Sequence, residues 1–153
     1  VSRLSVCVVS YADAGGGAFV AAHRLHRALL DGGLTSRMRV VEKRTDDTTV
    51  VAQQGIVGRM LARARYSFAA RAARTLGPKD GTYRTLAMFP TRLRRELDSG
   101  PEDVLHLHWI GGEMLSVKQI ARLDKPVVWT LHDEWAMRGA EHIAIWPDAE
   151  RWR

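Results

Sequence analysis

The chain has 153 residues, room for one ordinary domain with a buried core. Hydrophobic residues make up 46% and charged residues 26%, which excludes a disordered composition. The single cysteine, Cys7, excludes a disulfide framework and a four-cysteine zinc site, and the net charge of +6 favours anionic partners: nucleic acid, phosphorylated ligands or an anionic membrane surface.

The opening residues VSRLSVCVVSY alternate like a strand and carry no small-residue cleavage site, and no apolar run approaches the ~20 residues that span a bilayer. The expected compartment is the cytoplasm. Leu4–Ser10 reads as a buried first strand, β-branched and uncharged. The loop Tyr11–Gly17 ends in three glycines, and a helix follows to about Leu30, with Ala18, Ala22, Leu25 and Leu29 on one face and Gly32-Gly33 as its stop. Arg37–Val41 is a second strand, followed by the polar loop KRTDDTT.

Gly55–Leu76 is a long helix rich in Ala and Arg, broken by GPKDG. Thr91–Leu97 is a short helix and Ser99-Gly100-Pro101 a turn. Asp103–Trp109 is a strand, Ser116–Leu123 a helix with Ser116 as N-cap, and Val127–Leu131 another buried strand. The tail from Glu134 has no clear period. Strands alternating with helices predict a doubly wound, mostly parallel α/β sheet with helices on both faces, and Leu4–Ser10, Asp103–Trp109 and Val127–Leu131 as its central strands.

Three places carry candidate chemistry. Gly15, Gly16 and Gly17 lie between a strand and a helix, where glycine admits close backbone approach and helix N–H groups attract phosphate; a ligand-free tight turn is the alternative, and the position after the first strand favours phosphate. In His106-Leu107-His108-Trp109 the two histidines face the same side of a strand, with His106 read as a core histidine. His132-Asp133 closes another apolar strand, at the edge where open parallel sheets bind ligands. These residues fit hydrogen bonding around a polar substrate. The alternative is a metal-dependent hydrolase that uses His106, His108, His132 and Asp133 as ligands. On the long helix, Arg59, Arg63, Arg71 and Arg74 project to one side. Met60, Leu61, Ala64, Phe68 and Ala72 lie toward the other, with Arg65 intruding. Such a helix either exposes merely solvated arginines with its apolar face in the core, or lies on anionic lipid. His23 and His26 read as partly buried and structural. A non-enzymatic basic module is the third reading, although no nucleic-acid-binding pattern appears.

The stretch DVLHLHWIGGEMLSVKQIARLDKPVVWTLHDEWAMRG resembles the GT-B retaining glycosyltransferases of bacterial surface-polysaccharide synthesis, most closely the colanic-acid-type branch. Members read as Asp, two apolar residues and H-L-H-W-I, then a small loop, L-S, a helix, and P-V-V-W-T-L-H-D-x-W. The match runs from Asp103 to Gly139, and the first strand, the glycine loop and the helix after it are also similar.

The resemblance implies a Rossmann-like N-terminal domain that mainly holds the acceptor. It implies that Gly15, Gly16 and Gly17 approach the donor diphosphate and that His132 lies near the donor sugar and the reacting centre, as the catalytic histidine. His108 and Trp109 then line the acceptor side, and Asp133 is a further substrate-binding position. The donor is a nucleotide-diphosphate sugar and the acceptor a glycan; no cofactor, metal or nucleic acid is implied. Peripheral contact with the inner membrane face through Arg59, Arg63, Arg71 and Arg74 stands as the further partner expectation. Two departures stand out. The family's second, nucleotide-gripping domain is not within these residues, which leads to the expectation of an inactive part of a longer enzyme. Arg138-Gly139-Ala140-Glu141-His142 stands where relatives continue T-G-G-C-H-Y.

Overall fold

A computed structural model describes residues 4–52 and 56–143; within the long helix, the side chains of Ile56, Val57 and Arg59 lie outside that description. The elements in chain order are β1 (Ser5–Ala12), α1 (Gly17–Asp31), β2 (Thr35–Glu42), β3 (Val50–Ala52), α2 (Ile56–Leu76), α3 (Leu93–Asp98), β4 (Val104–Leu107), α4 (Val117–Ile120), β5 (Val127–Trp129) and α5 (Trp135–Arg138). The five strands form one sheet in the order β3-β2-β1-β4-β5, every pairing parallel. This is a doubly wound, Rossmann-like α/β fold.

The register carries one row of side chains across the sheet: Val50, Met38, Val8, His106 and Val128 are successive partners. Because strand residues alternate faces, two cores result. Val6, Val8, Met38, Val40 and Val50 pack with Ala22 and Leu29 of α1 on one face. Cys7, Val9, Leu105 and Leu107 pack on the other with Leu93 and Leu97 of α3, Met114, Leu115 and Trp135. Burial pushes the Cys7 thiol up to about 12, so it is an inert core residue. On the α3 side of β2, Arg37 pairs with Glu102 and Arg39 with Glu96. Charged residues can alternate with Met38 and Val40 there because each has a counter-ion.

Three expectations change. β5 is not a central strand but the edge of the sheet, with Val127 40% and Val128 51% exposed. Among the described residues it has a strand neighbour on one side only, and its apolar run reflects the sheet it joins rather than full burial. Leu131 lies beyond the strand and is exposed as well. The polar run after β2 ends in β3, three residues that hydrogen-bond in register with Met38–Val40. On the long helix the reading that puts the apolar face in the core does not hold: Ala69 and Ala73 are buried, while Met60 (64%), Leu61 (54%) and Phe68 (63%) are exposed. Small alanines let α2 approach closely, and Arg65 turns inward, where burial lowers its pKa and Glu113 opposes that shift. The N-cap on Ser116 forms as expected, a reciprocal capping box with Gln119, although α4 is only one turn long.

Candidate functional site

The strand order reverses at β1, which has β2 on one side and β4 on the other, so the carboxyl ends of β1 and β4 flank the topological switch point where such sheets bind ligands. β1 delivers Tyr11, Ala12 and Asp13 there, β4 leads into His108 and Trp109, and β5 leads into His132 and Asp133.

The glycine loop opens α1. Gly16 is its N-cap in extended backbone and no side chain caps the helix; Gly17 is the first helical residue, with open space where a Cβ would stand. The three glycines are exposed, and the first turn holds no acid. A helix of 15 residues therefore turns its first backbone N–H groups outward, a site that favours an anion. Gly15 has φ +90°, and a Cβ there would meet the Arg44 side chain, so the loop conformation selects glycine.

No motif marks Arg44 in the sequence, yet it folds back over the loop. It donates from Nη1 to the Ala14 carbonyl (2.9 Å) and from Nη2 to Glu42 (2.7 Å), with its guanidinium 5.9 Å from the Phe19 ring centroid. Buried Asp13 anchors this fold-back by accepting from the backbone N–H groups of Arg44 (2.7 Å) and Thr45 (3.1 Å) and from the Thr45 hydroxyl. Burial works against the Asp13 carboxylate, and these hydrogen bonds overcome it and hold its pKa below the usual range.

Trp109 joins the two halves of the site. Its ring meets Phe19 of α1 edge-on at 5.6 Å and Tyr11 of β1 at 5.7 Å, and stacks on Tyr83 at 6.3 Å. Its indole N–H donates to Asp133 Oδ2 (2.8 Å). Gly112 permits this cluster: its φ is +69°, and a Cβ would stand 2.7 Å from the Tyr11 ring. Gly112→Ala is expected to cost about 2 kcal/mol, from left-handed backbone strain plus displacement of Tyr11. A melting curve should show a fall of roughly 4–8 °C, with loss of near-ultraviolet aromatic circular dichroism.

The histidines form a stack. His106 shares a hydrogen bond with the Thr130 hydroxyl (2.8 Å), and its ring lies 4.6 Å from that of His108. His108 shares one between its Nδ1 and Nε2 of His132 (2.9 Å), with ring centroids 5.1 Å apart. His132 is exposed, whereas His108 is 4% exposed and its Nε2 is a buried nitrogen without a partner. Such an orphan calls for a ligand or water at the site. Desolvation, reinforced by the two neighbouring imidazoles, lowers His108 to about 4, so it is neutral near pH 7 and donates at one nitrogen only.

These shifts predict a pH dependence. Burial also lowers the pKa of His26, which is held between Ser36 and Thr49, and of His106. Between the unfolded value of about 6.5 and the lower folded values, the unfolded chain binds more protons. The stability contributed by the neutral rings is therefore complete above about pH 6.5 and drains away as the pH falls toward about 4. Thermal scans are expected to show a melting temperature that drops between pH 7 and pH 5, with a shallower slope in His108→Gln; equal slopes would contradict the assignment to His108.

Asp133 lies at the centre of a network that sequence reasoning missed. Its Oδ2 accepts from Trp109 and from His142 Nδ1 (2.5 Å), and its Oδ1 from the Trp135 backbone N–H (3.1 Å). His142 Nε2 meets the Thr85 hydroxyl at 2.8 Å, and Thr85 in turn accepts from the Gly112 N–H. The Asp133–His142–Thr85 connectivity is that of a hydrolase triad. Thr85 and His142 are buried, however, and the hydroxyl is occupied, so the network holds Asp133 and Trp109 in place. Thr85 and His142 lie 57 positions apart in unpatterned segments, and no periodicity could have paired them.

His108, Trp109, His132, Asp133 and His142 line one small depression with Gly111, Trp129 and Trp135. No group of three His, Cys, Asp or Glu among the described residues is arranged to hold a metal ion. His106 Nε2 is turned to Thr130 and His108 Nδ1 to His132 rather than to one point, and the Asp133 oxygens to Trp109, His142 and Trp135. That geometry does not supply the ligand set that the hydrolase alternative needs.

Compared with known protein families, curated proteins and solved structures, the chain matches none.

Proposed function

We propose that the chain is the acceptor-side unit of a retaining GT-B glycosyltransferase, one that moves a sugar from a nucleotide-diphosphate donor to a glycan in surface-polysaccharide synthesis. The acceptor in this reading is lipid-linked and the site of action cytoplasmic. The observation that carries it is the arrangement at the switch point: an uncapped, acid-free helix N-terminus at Gly15–Gly17, connected through Phe19 and Trp109 to Asp133, whose chain neighbour His132 presents an exposed imidazole. One end suits a diphosphate and the other a sugar hydroxyl.

In this reading the N–H groups at Gly16 and Gly17 stabilise charge that develops on the leaving diphosphate, with the Arg44 guanidinium beside them. His132 hydrogen-bonds the transferred sugar or its leaving oxygen. Its other role is toward His108, whose neutral ring fixes which His132 nitrogen faces the ligand. Trp109 offers an apolar indole to the acceptor, and Asp133 orients that indole. A second nucleotide-gripping unit supplies most of the donor affinity in such enzymes, so this unit is expected to bind donor weakly.

Titration of isotope-labelled protein with nucleotide-diphosphate hexoses, followed by backbone and imidazole NMR signals, tests the reading. Shifts grouped at Gly15–Gly17, Trp109 and His132 are the expected result. Absence of shifts at saturating donor and acceptor, or shifts confined to another surface, would overturn it.

A further inference from the structure

The outer face of α2 is apolar and basic at once. Met60, Leu61 and Phe68 are more than half exposed on it, and Leu76 at its end is 85% exposed. The patch continues beyond the helix: Phe68 packs edge-on against Phe89 at 5.7 Å, and the neighbouring Met88 is 67% exposed. Helix α2 contains five arginines and no acid. Four of these arginines have described side chains. Arg65 turns inward, while Arg63, Arg71 and Arg74 are exposed and form no ion pair among the described residues. Several arginines elsewhere are paired, among them Arg37 with Glu102, Arg39 with Glu96, Arg84 with Asp80 and Glu141, and Arg138 with Glu134; what sets α2 apart is that its unpaired arginines share one helix face with exposed apolar side chains.

Helical geometry places these groups together. Arg63, Arg74, Ser67, Met60, Arg71, Ala64, Phe68 and Leu61 follow one another around the outer half of the cylinder, from a basic flank to an apolar one. A solvated helix would gain nothing from Met, Leu and Phe on that flank, and a protein core would not accept the unpaired arginines. A lipid interface accepts both: the apolar side chains reach the acyl boundary while arginines stay at headgroup level. At 21 residues with this charge α2 can lie on a bilayer, and no described helix is long and apolar enough to cross one.

We infer that α2 docks the protein flat on an anionic lipid surface, with Met60, Leu61, Phe68 and Met88 inserted and Arg63, Arg71 and Arg74 against lipid phosphates. RNA would use the arginines and leave the apolar flank in water, so lipid is the partner that accounts for both halves of the face. The inference stands independently of the glycosyltransferase reading.

Sedimentation with vesicles tests it. The protein is expected to pellet with phosphatidylglycerol-containing vesicles and to stay in solution with phosphatidylcholine alone. Arg63→Gln, Arg71→Gln and Arg74→Gln together should weaken binding about 100-fold, at the usual per-residue attraction to anionic lipid. Leu61→Ser with Phe68→Ser should weaken it at least about tenfold with the charge unchanged. These positions are exposed, so the variants should melt with the parent; if one does not, salt titration of the parent protein still reads the electrostatic half. Failure to bind anionic vesicles, equal binding to both vesicle types, or indifference to the serine pair would each overturn the proposal. Displacement from vesicles by single-stranded RNA that survives the serine pair would reassign the face to nucleic acid.

Discussion

His132→Ala is expected to slow sugar transfer by about 30- to 1,000-fold, a loss of about 2–4 kcal/mol of transition-state stabilisation, in an enzyme that contains both GT-B units. The imidazole is exposed at the carboxyl edge of the sheet, and its hydrogen bond to His108 ties it to the fold. Removing it takes away a preorganised group that can donate or accept at the reacting sugar, without excavating the core. His108 Nδ1 loses a partner, but the vacated place is open to water, so the melting temperature should stay within a few degrees of the parent's. His108→Ala should differ: it creates a buried gap and lowers both the rate and the melting temperature. Steady-state kcat/KM on both variants, alongside thermal scans, separates the two roles. An unchanged rate for His132→Ala would remove this residue from the chemistry and with it the proposed mechanism.

Glu113→Ala is expected to be the most destabilising single change outside the aliphatic core. The carboxylate is 3% exposed and accepts from three consecutive backbone N–H groups, those of Ala87 (2.8 Å), Met88 (3.0 Å) and Phe89 (3.4 Å). Its own φ is +60° and that of Ala87 is +47°, so two strained residues face each other and the hydrogen bonds hold both in place. Alanine would orphan the donors while keeping the strain at position 113. With each buried orphan costing about 1–3 kcal/mol, and some reached by water, a loss of about 3–4 kcal/mol follows. That is a fall of roughly 6–16 °C in the melting temperature. The effect should reach the site, because the tethered segment carries Thr85, which orders His142 and through it Asp133. Glu113→Gln keeps one acceptor and should lose about half as much. A melting temperature unchanged in Glu113→Ala would show that the three N–H groups find other partners.

Parts of this architecture follow from local chemistry alone. The uncharged β-branched run before the glycines, the helix stopped by Gly32-Gly33, and the apolar run entered through Asp103 each specify an element, and their alternation specifies a parallel sheet. The His132 and glycine positions were readable because strand ends are where apolar runs stop. What could not be read was which face an element turns to which neighbour. β5 is as apolar as β1 but lies at the edge, since strand order depends on how crossovers pack and not on composition. β3 exists because Met38–Val40 offers it a ladder; three residues carry no pattern of their own. On α2 the hydrophobic pattern left two readings open, and packing decided between them: Ala69 and Ala73 are the buried residues, Arg65 turns inward, and Met60, Leu61 and Phe68 lie outside. The Thr85–His142–Asp133–Trp109 network and the fold-back of Arg44 onto the glycine loop join residues dozens of positions apart. Local propensity has no term for such contacts; only the packed sheet brings those atoms within hydrogen-bond distance.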